Sequence, residues 1–138
     1  MTSNNASPAD DDAVALAHSL FDACRRGDAA GVLPYLDAGA PATMRDADGN
    51  SLLMLAAYHD HPELVRALAE RGADVDQLND RGQSPLAGAA FKGYDAVARV
   101  LLDAGADPEL GTPSGRETAA FFGREAIAAM IEERRARP

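Results

Sequence analysis

Apolar side chains in residues 84–104 form two helical runs, each followed by a glycine. Residues 84–92 begin with Ser-Pro and continue with small and apolar side chains up to Gly93. A serine suits a helix N-cap, and a proline suits the first helical position, where no backbone N–H is required. Between residues 94 and 104, three larger apolar side chains lie at helical spacing: Val97, Val100 and Leu101. The pattern predicts one helix that ends at Gly93 and a second that is closed by Gly105 as a left-handed C-terminal cap.

The same plan returns along most of the chain with a step of 33 residues. Such a period is a stronger signal than any local motif and changes how every other residue is interpreted. Residues 47–76 repeat the plan, and residues 107–115 carry proline and glycine at turn spacing, which predicts a hairpin loop. The positions that keep the step include Leu20, Leu53 and Leu86; Ala23, Ala56 and Ala89; Gly39, Gly72 and Gly105; Ala40, Ala73 and Ala106; and Gly49, Gly82 and Gly115.

The period also predicts stacking, because one helix pair cannot cover its own apolar face. Side chains at equal positions then become neighbours along the stack. We expect the apolar side chains that recur at the 33-residue step to form one continuous core. Its predicted members are Leu53, Leu86, Ala56, Ala89, Leu68 and Leu101.

Two segments of the repeating unit resemble the ankyrin repeat. Residues 49–57 read G-N-S-L-L-M-L-A-A and residues 82–90 read G-Q-S-P-L-A-G-A-A, which is similar to the family pattern G-x-T-P-L-H-x-A-A. Residues 64–76 and 97–107 resemble its second half, V-V-x-x-L-L-x-x-G-A-D-x-N. The resemblance covers residues 13–134. It implies an all-α ankyrin-repeat solenoid of stacked helix-turn-helix units with hairpin loops and capping repeats at both ends.

Four units follow from this resemblance, with boundaries at about 13–45, 46–78, 79–111 and 112–138. Residues 1–12 are expected to be an acidic N-terminus, either disordered or part of the cap. In the first unit, Asp10 to Asp12 precede a helix predicted over Ala13–Arg25 and place negative charge at its positive end. The last unit fits the family pattern if three residues are missing after Gly115.

The repeats depart from the family pattern at a position that matters for the hairpins. The usual histidine of T-P-L-H is Met54 in one unit and Ala87 in the next, and Leu52 stands where the family has proline. The hydrogen bonds that this histidine makes in the family are therefore absent. We expect hairpins that are less tightly held than in the family.

Composition narrows the functional class. Of the 138 residues, 46% are hydrophobic and only 5% are aromatic, and the formal net charge is −9. The hydrophobic and aromatic contents favour one small domain with small side chains in its core. The negative net charge argues against nucleic-acid binding, which needs clustered cations. No run approaches the length of a membrane helix, and the N-terminus resembles neither a secretory signal nor a transit peptide. We therefore expect a cytoplasmic, monomeric protein, and its single lysine and many Ala, Gly and Arg residues favour a GC-rich bacterial genome.

No set of residues predicts catalysis, a metal or a cofactor. Cys24 occupies the small buried position of the repeat and is expected to be structural, although Arg25 and Arg26 beside it leave a redox role open. The segment His59-Asp60-His61 lies on a turn where its side chains cannot easily converge on one ion. The serines at helix starts lack an activating base and are expected to be N-caps: Ser51, Ser84 and Ser114. The sequence predicts a protein that is not an enzyme.

The ankyrin resemblance implies a surface for a partner protein. In the family, the first helix presents the two residues after its Ala-Ala pair, with the hairpin tip, to a concave surface where partners bind. The helix positions here are Arg25, Arg26, Tyr58, His59, Phe91, Lys92, Phe121 and Phe122. The hairpin positions include Arg45, Asp48, Asn50, Leu78, Arg81, Gln83 and Arg116. Tyr58, Phe91 and Phe121 are expected to align as an aromatic ladder, and whether Phe121 and Phe122 lie at the surface or in the core is left open.

The function predicted from these features is a non-catalytic adaptor that holds another protein in its concave groove. Two alternatives are left open. One is an accessory role in oxidative defence, with which some small bacterial ankyrin proteins resembling this one are associated. The other is the binding of a small ligand, for which no convergent group of titratable side chains is present.

Overall fold

The computed structural model describes residues 8–136, with side chains from residue 11 onward. Within this part of the chain there are eight α-helices and one 3-10 turn, Ala29–Gly31, and no named strand. The helices are α1 (Pro8–Arg26), α2 (Leu33–Asp37), α3 (Leu52–Tyr58), α4 (Pro62–Glu70), α5 (Pro85–Lys92), α6 (Asp95–Asp103), α7 (Gly115–Phe121) and α8 (Glu125–Arg135).

The helices form two layers of a solenoid, which confirms the predicted fold. The first helices of the four units, α1, α3, α5 and α7, contact one another in chain order. The second helices α4, α6 and α8 form a parallel row behind them, and each packs against the first helix of its own unit. Equal positions of successive units therefore become spatial neighbours, as the period predicts.

Serine side chains start three of the first helices, as predicted. The Oγ atoms of Ser51 and Ser84 accept hydrogen bonds from the backbone N–H groups of Met54 and Ala87, both at 3.0 Å. Ser114 accepts from the N–H of Glu117 at 3.1 Å, and the Glu117 side chain accepts from the N–H of Ser114 in return. All three serines are buried, so their caps satisfy helix N–H groups that water cannot reach.

The core runs without interruption through the stack. Every residue that the sequence predicts for it is buried, together with Leu20 and Cys24 of the first unit and Ile127 and Ile131 of the last. The alanines at positions 56, 57, 89 and 90 have essentially no exposed surface. Small side chains at these positions let neighbouring first helices approach closely.

The last unit is shortened before its first helix, and this corrects the prediction that residues are missing after Gly115. Ser114 caps α7 as Ser84 caps α5, so these equivalent positions are 30 residues apart and the loss lies in the loop ahead of Ser114. Gly115 is the first residue of α7 and corresponds to Pro85. Its agreement with the 33-residue step of Gly49 and Gly82 is a coincidence.

The first helix is longer than predicted. It begins at Pro8, so Asp10 to Asp12 lie within α1 and do not precede it. Residues 1–7 of the predicted acidic N-terminus lie outside the described part of the chain. Acidic residues in the opening turns of a helix are still favourable, because they lie near its positive end.

A left-handed residue follows the first helix of every unit. Three of these positions are glycines, and the second unit has Asp60 with a φ of 65°. A residue with a Cβ atom is strained in this conformation, although aspartate tolerates it better than most. The three glycines are Gly27, Gly93 and Gly123.

Replacing Asp60 with glycine is therefore expected to raise the free energy of unfolding by about 0.5–1 kcal/mol. Asp60 is exposed, so the change removes little packing. Urea unfolding followed by circular dichroism measures the effect. Asp60→Ala is the matched control and should lower stability, because alanine keeps the Cβ atom; a glycine variant less stable than the parent would contradict the explanation.

Side chains that begin two of the second helices join neighbouring units. His61 Nε2 donates to the backbone oxygen of Arg25 in the preceding unit at 2.8 Å. At the equivalent position of the last unit, the Arg124 guanidinium donates to the backbone oxygens of Ala90 and Phe91 at 2.9 and 2.7 Å. Both side chains thus donate to carbonyl groups in the last turn of the previous first helix, where the intrahelical partners run out.

Candidate functional site

A polar groove lies between the first helices of the first two units, α1 and α3, and the hairpins that precede α3 and α5. Its cavity has a volume of about 250 Å³. Residues from α1 and α3 line one side, and residues from the two hairpins line the other. The polar groove is formed by Arg25, Asp46, Asp48, Asn50, Met54, Leu55, Tyr58, His59, Asn79, Arg81 and Gln83.

Two equivalent side chains shape the hairpins of the polar groove. Asp46 Oδ1 accepts from the backbone N–H groups of Asp48 and Asn50, at 3.0 and 2.9 Å. One unit later, Asn79 Oδ1 accepts from the N–H groups of Arg81 and Gln83, both at 3.0 Å. These turns supply local hydrogen bonds in hairpins that lack the family's histidine. That the hairpins are less tightly held than in the family stays a prediction.

The two hairpins are also joined to each other. Asn79 Nδ2 donates to Asn50 Oδ1 and to Gln83 Oε1, both at 2.9 Å. The backbone N–H of Asp80 donates to the backbone oxygen of Asp48 at 3.1 Å. A continuous polar network therefore fixes the wall of the groove across the boundary between the second and third units.

The groove also carries charged side chains, which are partly neutralised. The Arg25 guanidinium pairs with Asp22 at 2.7 Å and with Asp46 at 3.3 Å, linking α1 to the first hairpin. His59 Nδ1 donates to the backbone oxygen of Leu55 at 2.8 Å. Arg81 is exposed at the second hairpin tip and makes no ion pair with the described residues. Its charge is thus available at the rim of the groove.

The structure brings together seven of the residues predicted to bind a partner. These are Arg25, Asp48, Asn50, Tyr58, His59, Arg81 and Gln83. Arg26 lies at the end of α1 and pairs with Asp28 at 3.6 Å, outside the lining of the groove. Arg45 and Leu78 contact each other, because the guanidinium of Arg45 donates to the backbone oxygen of Leu78.

Arg116 is not at a hairpin tip, which corrects its predicted position. It lies in the first turn of α7, since the shortened loop moves the helix start toward it. Its guanidinium pairs with Glu109 at 2.6 Å and also with Glu132 of α8. The hydrogen bonds to these carboxylates raise the pKa of Arg116, and the bond from Arg116 lowers the pKa of Glu132. Arg116 thus joins the last helix pair and does not line the polar groove.

Among residues 8–136, ring contacts do not join consecutive members of the predicted aromatic ladder of Tyr58, Phe91 and Phe121. The half-buried ring of Tyr58 lies over Gly88, where an added Cβ atom would be 3.2 Å from Tyr58 Cδ1. Lys92 Nζ lies 5.1 Å from the centroid of the Tyr58 ring. Phe91 faces Phe122, with ring centroids 5.2 Å apart. Tyr58 therefore contacts Lys92 and Phe91 contacts Phe122, so each of these two rings meets the residue that follows its own equivalent in the next unit.

Three rings at the end of the stack form an aromatic patch, which consists of Phe91, Phe121 and Phe122. Phe121 and Phe122 are in edge contact, with centroids 5.0 Å apart. Phe121 is 83% exposed, Phe91 45% and Phe122 43%. The question that the sequence leaves open is thus answered, because both phenylalanines of the last unit lie at the surface.

The other side chains that could act as nucleophiles or metal ligands lie in surroundings that favour neither role. Cys24 is fully buried, and burial raises the pKa of its thiol to about 12, although the charge of Arg25 acts in the opposite direction. The described side chains of His, Cys, Asp and Glu form no group of three or more that could hold a metal ion. None of the helices within residues 8–136 is both long and apolar enough to cross a bilayer.

Sequence reasoning missed four residues of the polar groove: Asp46, Met54, Leu55 and Asn79. Asp46 and Asn79 are separated by the 33-residue step, and both are residue types that hydrogen-bond to nearby backbone. The equal spacing and the similar side chains of Asp46 and Asn79 could have indicated that both residues shape the hairpins. Met54 and Leu55 are buried residues of α3 that also face the cavity, which an assignment to core or surface alone does not reveal.

Comparisons with known proteins agree with the observed architecture. A family model of ankyrin repeats in three copies matches residues 20–112. An ankyrin repeat protein of Pseudomonas aeruginosa is 45% identical over 49 residues, which are 36% of this chain and 29% of that protein. Human ankyrin repeat domain-containing protein 29 is 42% identical over 62 residues, 44% of this chain and 21% of that protein. An ankyrin repeat-containing protein of Treponema pallidum is 46% identical over 46 residues, 33% of this chain and 15% of that protein.

Proposed function

Because the chain belongs to the ankyrin repeat family, whose repeats generally mediate protein–protein interaction, we propose that it is a non-catalytic adaptor whose polar groove binds a partner protein. The rest of the proposed surface is the row of exposed residues that continues the groove along the ends of the first helices. This row contains Arg26, Phe91, Lys92 and Phe121. The monomeric state, the cytoplasmic location and the absence of nucleic-acid binding predicted from the sequence belong to the same proposal.

The observation that carries this proposal is the polar groove itself. Its wall is held by hydrogen bonds between hairpins, so a partner would meet a surface that is already ordered. Its lining combines an aromatic ring, Tyr58, with unlike charges on Arg81 and Asp48. Aromatic and arginine side chains are the residue types that most often dominate binding energy at protein interfaces.

The alternative role in oxidative defence receives no support from the thiol. A reactive cysteine needs exposure and a lowered pKa, whereas Cys24 is buried and its pKa is raised. Its position facing the core matches that of Ala57 and Ala90 in the next two units. The adaptor proposal uses the exposed residues of the repeat and assigns Cys24 a packing role only.

Site-specific photo-crosslinking tests where a partner binds. Benzoylphenylalanine is placed at Arg81, at the rim of the polar groove, or at Arg99, an exposed arginine of α6 in the second row of helices. Irradiation in a lysate of the native cell should give one crosslinked protein from position 81 and none from position 99. The same adduct from position 99, or none from position 81, would contradict binding in the groove.

Charge reversal gives an independent measurement once the crosslinked protein is identified. Arg81→Glu should weaken its affinity at least about tenfold in isothermal titration calorimetry, because the change places a carboxylate at the rim of the groove. Arg99→Glu is the matched control, since it makes the same change on the other face. Thermal melts should agree between the two variants, which separates binding from folding.

A further inference from the structure

The aromatic patch is an exposed apolar surface that the fold leaves uncovered. Phe121 projects most of its ring into solvent, and Phe122 touches both other phenylalanines. A contiguous group of exposed rings is unusual on a monomer and marks interaction surfaces. Edge contacts already fix the rings relative to one another, so little side-chain freedom is lost when a partner covers them.

One cation contacts the aromatic patch, and a second lies next to it in the chain. Lys92 directly follows Phe91, and its Nζ lies over the rings of Tyr58 and Tyr94, which are outside the patch, at 5.1 and 5.9 Å from their centroids. The Arg124 guanidinium lies 5.9 Å from the centroid of the Phe122 ring, where its hydrogen bonds to two backbone oxygens hold it. Rings and carbonyl oxygens orient these groups but do not neutralise their charge.

Neither cation forms an ion pair with a carboxylate among the described residues. Acidic side chains outnumber basic ones on this chain, whose net charge is −9, and Arg45, Arg81 and Arg99 are the other described Lys or Arg residues without an ion pair. Most of the arginines do have carboxylate partners within 4.0 Å: Arg25, Arg26, Arg66, Arg71, Arg116, Arg134 and Arg135. Arg124 at the aromatic patch and Lys92 next to Phe91 thus carry charges that no ion pair with a described carboxylate neutralises.

We propose that the aromatic patch, with Lys92 and Arg124, docks an acidic segment of a partner protein that carries an apolar side chain among its carboxylates. The apolar side chain packs on the rings of Phe91, Phe121 and Phe122, and the carboxylates pair with the two cations. This inference rests on the proposed adaptor function and adds the chemical class of the segment that is bound. Charge complementarity selects an acidic segment over a basic one.

A single-stranded nucleic acid also combines flat apolar groups with negative charge. The observations favour a short acidic segment, because the aromatic patch offers two cations and the whole chain is strongly negative. A phosphate chain would extend past the patch onto acidic surface and gain few further contacts. Binding of single-stranded DNA is accordingly an outcome of the test below that would overturn the proposal.

The test is selection from a phage-displayed library of short random peptides on the intact protein. Enriched peptides should contain an apolar residue flanked by Asp or Glu, and a synthetic peptide of the enriched sequence should bind more weakly as salt rises. Phe121→Ser and Lys92→Gln should each weaken its binding about tenfold. The matched controls Tyr35→Ser and Arg99→Gln change an exposed ring and an exposed arginine elsewhere, and they should bind like the parent.

Three results would overturn the proposal. The first is enrichment of peptides without acidic residues, and the second is peptide binding that Phe121→Ser and Lys92→Gln leave unchanged. The third is binding of single-stranded oligothymidine as tight as that of the peptide and weakened by the same two substitutions. The first two leave the adaptor function standing if position 81 still crosslinks a protein. Loss of that crosslink removes the groove proposal, whatever the peptides show. Melting curves of all four variants confirm that binding is compared between folded proteins.

Discussion

Replacing Leu101 with alanine is expected to lower the free energy of unfolding by about 2–5 kcal/mol, a large part of the roughly 5–15 kcal/mol that holds a domain folded. Leu101 lies on α6, is fully buried, and belongs to the continuous core. The change removes apolar contacts and leaves a cavity between helices that cannot fully close. Because α6 contacts both α4 and α8, the loss weakens two boundaries between units.

Urea unfolding monitored by circular dichroism measures this loss. Leu16→Ala is the matched control, since it makes the same chemical change on α1 at a side chain that is 37% exposed. We expect the control to stay within about 0.5 kcal/mol of the parent. If Leu101→Ala and Leu16→Ala gave equal midpoints, the continuous core would not be the source of stability.

Replacing Gly27 with alanine is expected to cost about 3 kcal/mol, for two separate reasons. The φ angle of Gly27 is +74°, which is strained for any residue with a Cβ atom. An added Cβ atom would also overlap with the His61 ring at Nδ1. The ring would have to move and would lose its hydrogen bond to the backbone oxygen of Arg25.

Gly72→Ala separates these two causes. Gly72 has a φ of +90°, but an added Cβ atom there meets nothing within 4 Å, so only the backbone strain of about 1–2 kcal/mol remains. Thermal and urea unfolding of both variants give the difference. Introducing Gly27→Ala into a His61→Ala background should reduce its cost toward that of Gly72→Ala. If Gly27→Ala and Gly72→Ala lowered the free energy of unfolding equally, the His61 ring would move aside without loss of stability.

The repeat framework could be predicted from the sequence because it depends on local rules. Ser84 and Pro85 start a helix for reasons that lie within one turn, and the spacing of Leu53 and Leu86 reports the stacking directly. The shortened last unit could not be located in this way. Gly115 continues the 33-residue step by coincidence, and only the cap at Ser114 shows where the loop loses residues.

The candidate site was harder to predict because its contacts join different units. Position within the repeat selected Arg81 and Tyr58, and both line the polar groove. It did not reveal that Asn79 bonds to Asn50 across a hairpin boundary, nor that Phe91 packs against Phe122. Such pairs depend on the offset between neighbouring helices, which the sequence period does not specify.

The hydrogen bonds that His61 and Arg124 make to backbone oxygens give the array a direction. In each case the later unit supplies the side chain and the earlier unit supplies only main-chain acceptors. Main-chain acceptors are offered by any amino acid, so a unit need not be matched in side chains to its successor at this junction. Duplication of an internal unit, the event by which repeat arrays lengthen, is therefore compatible with these joints without compensating substitutions upstream.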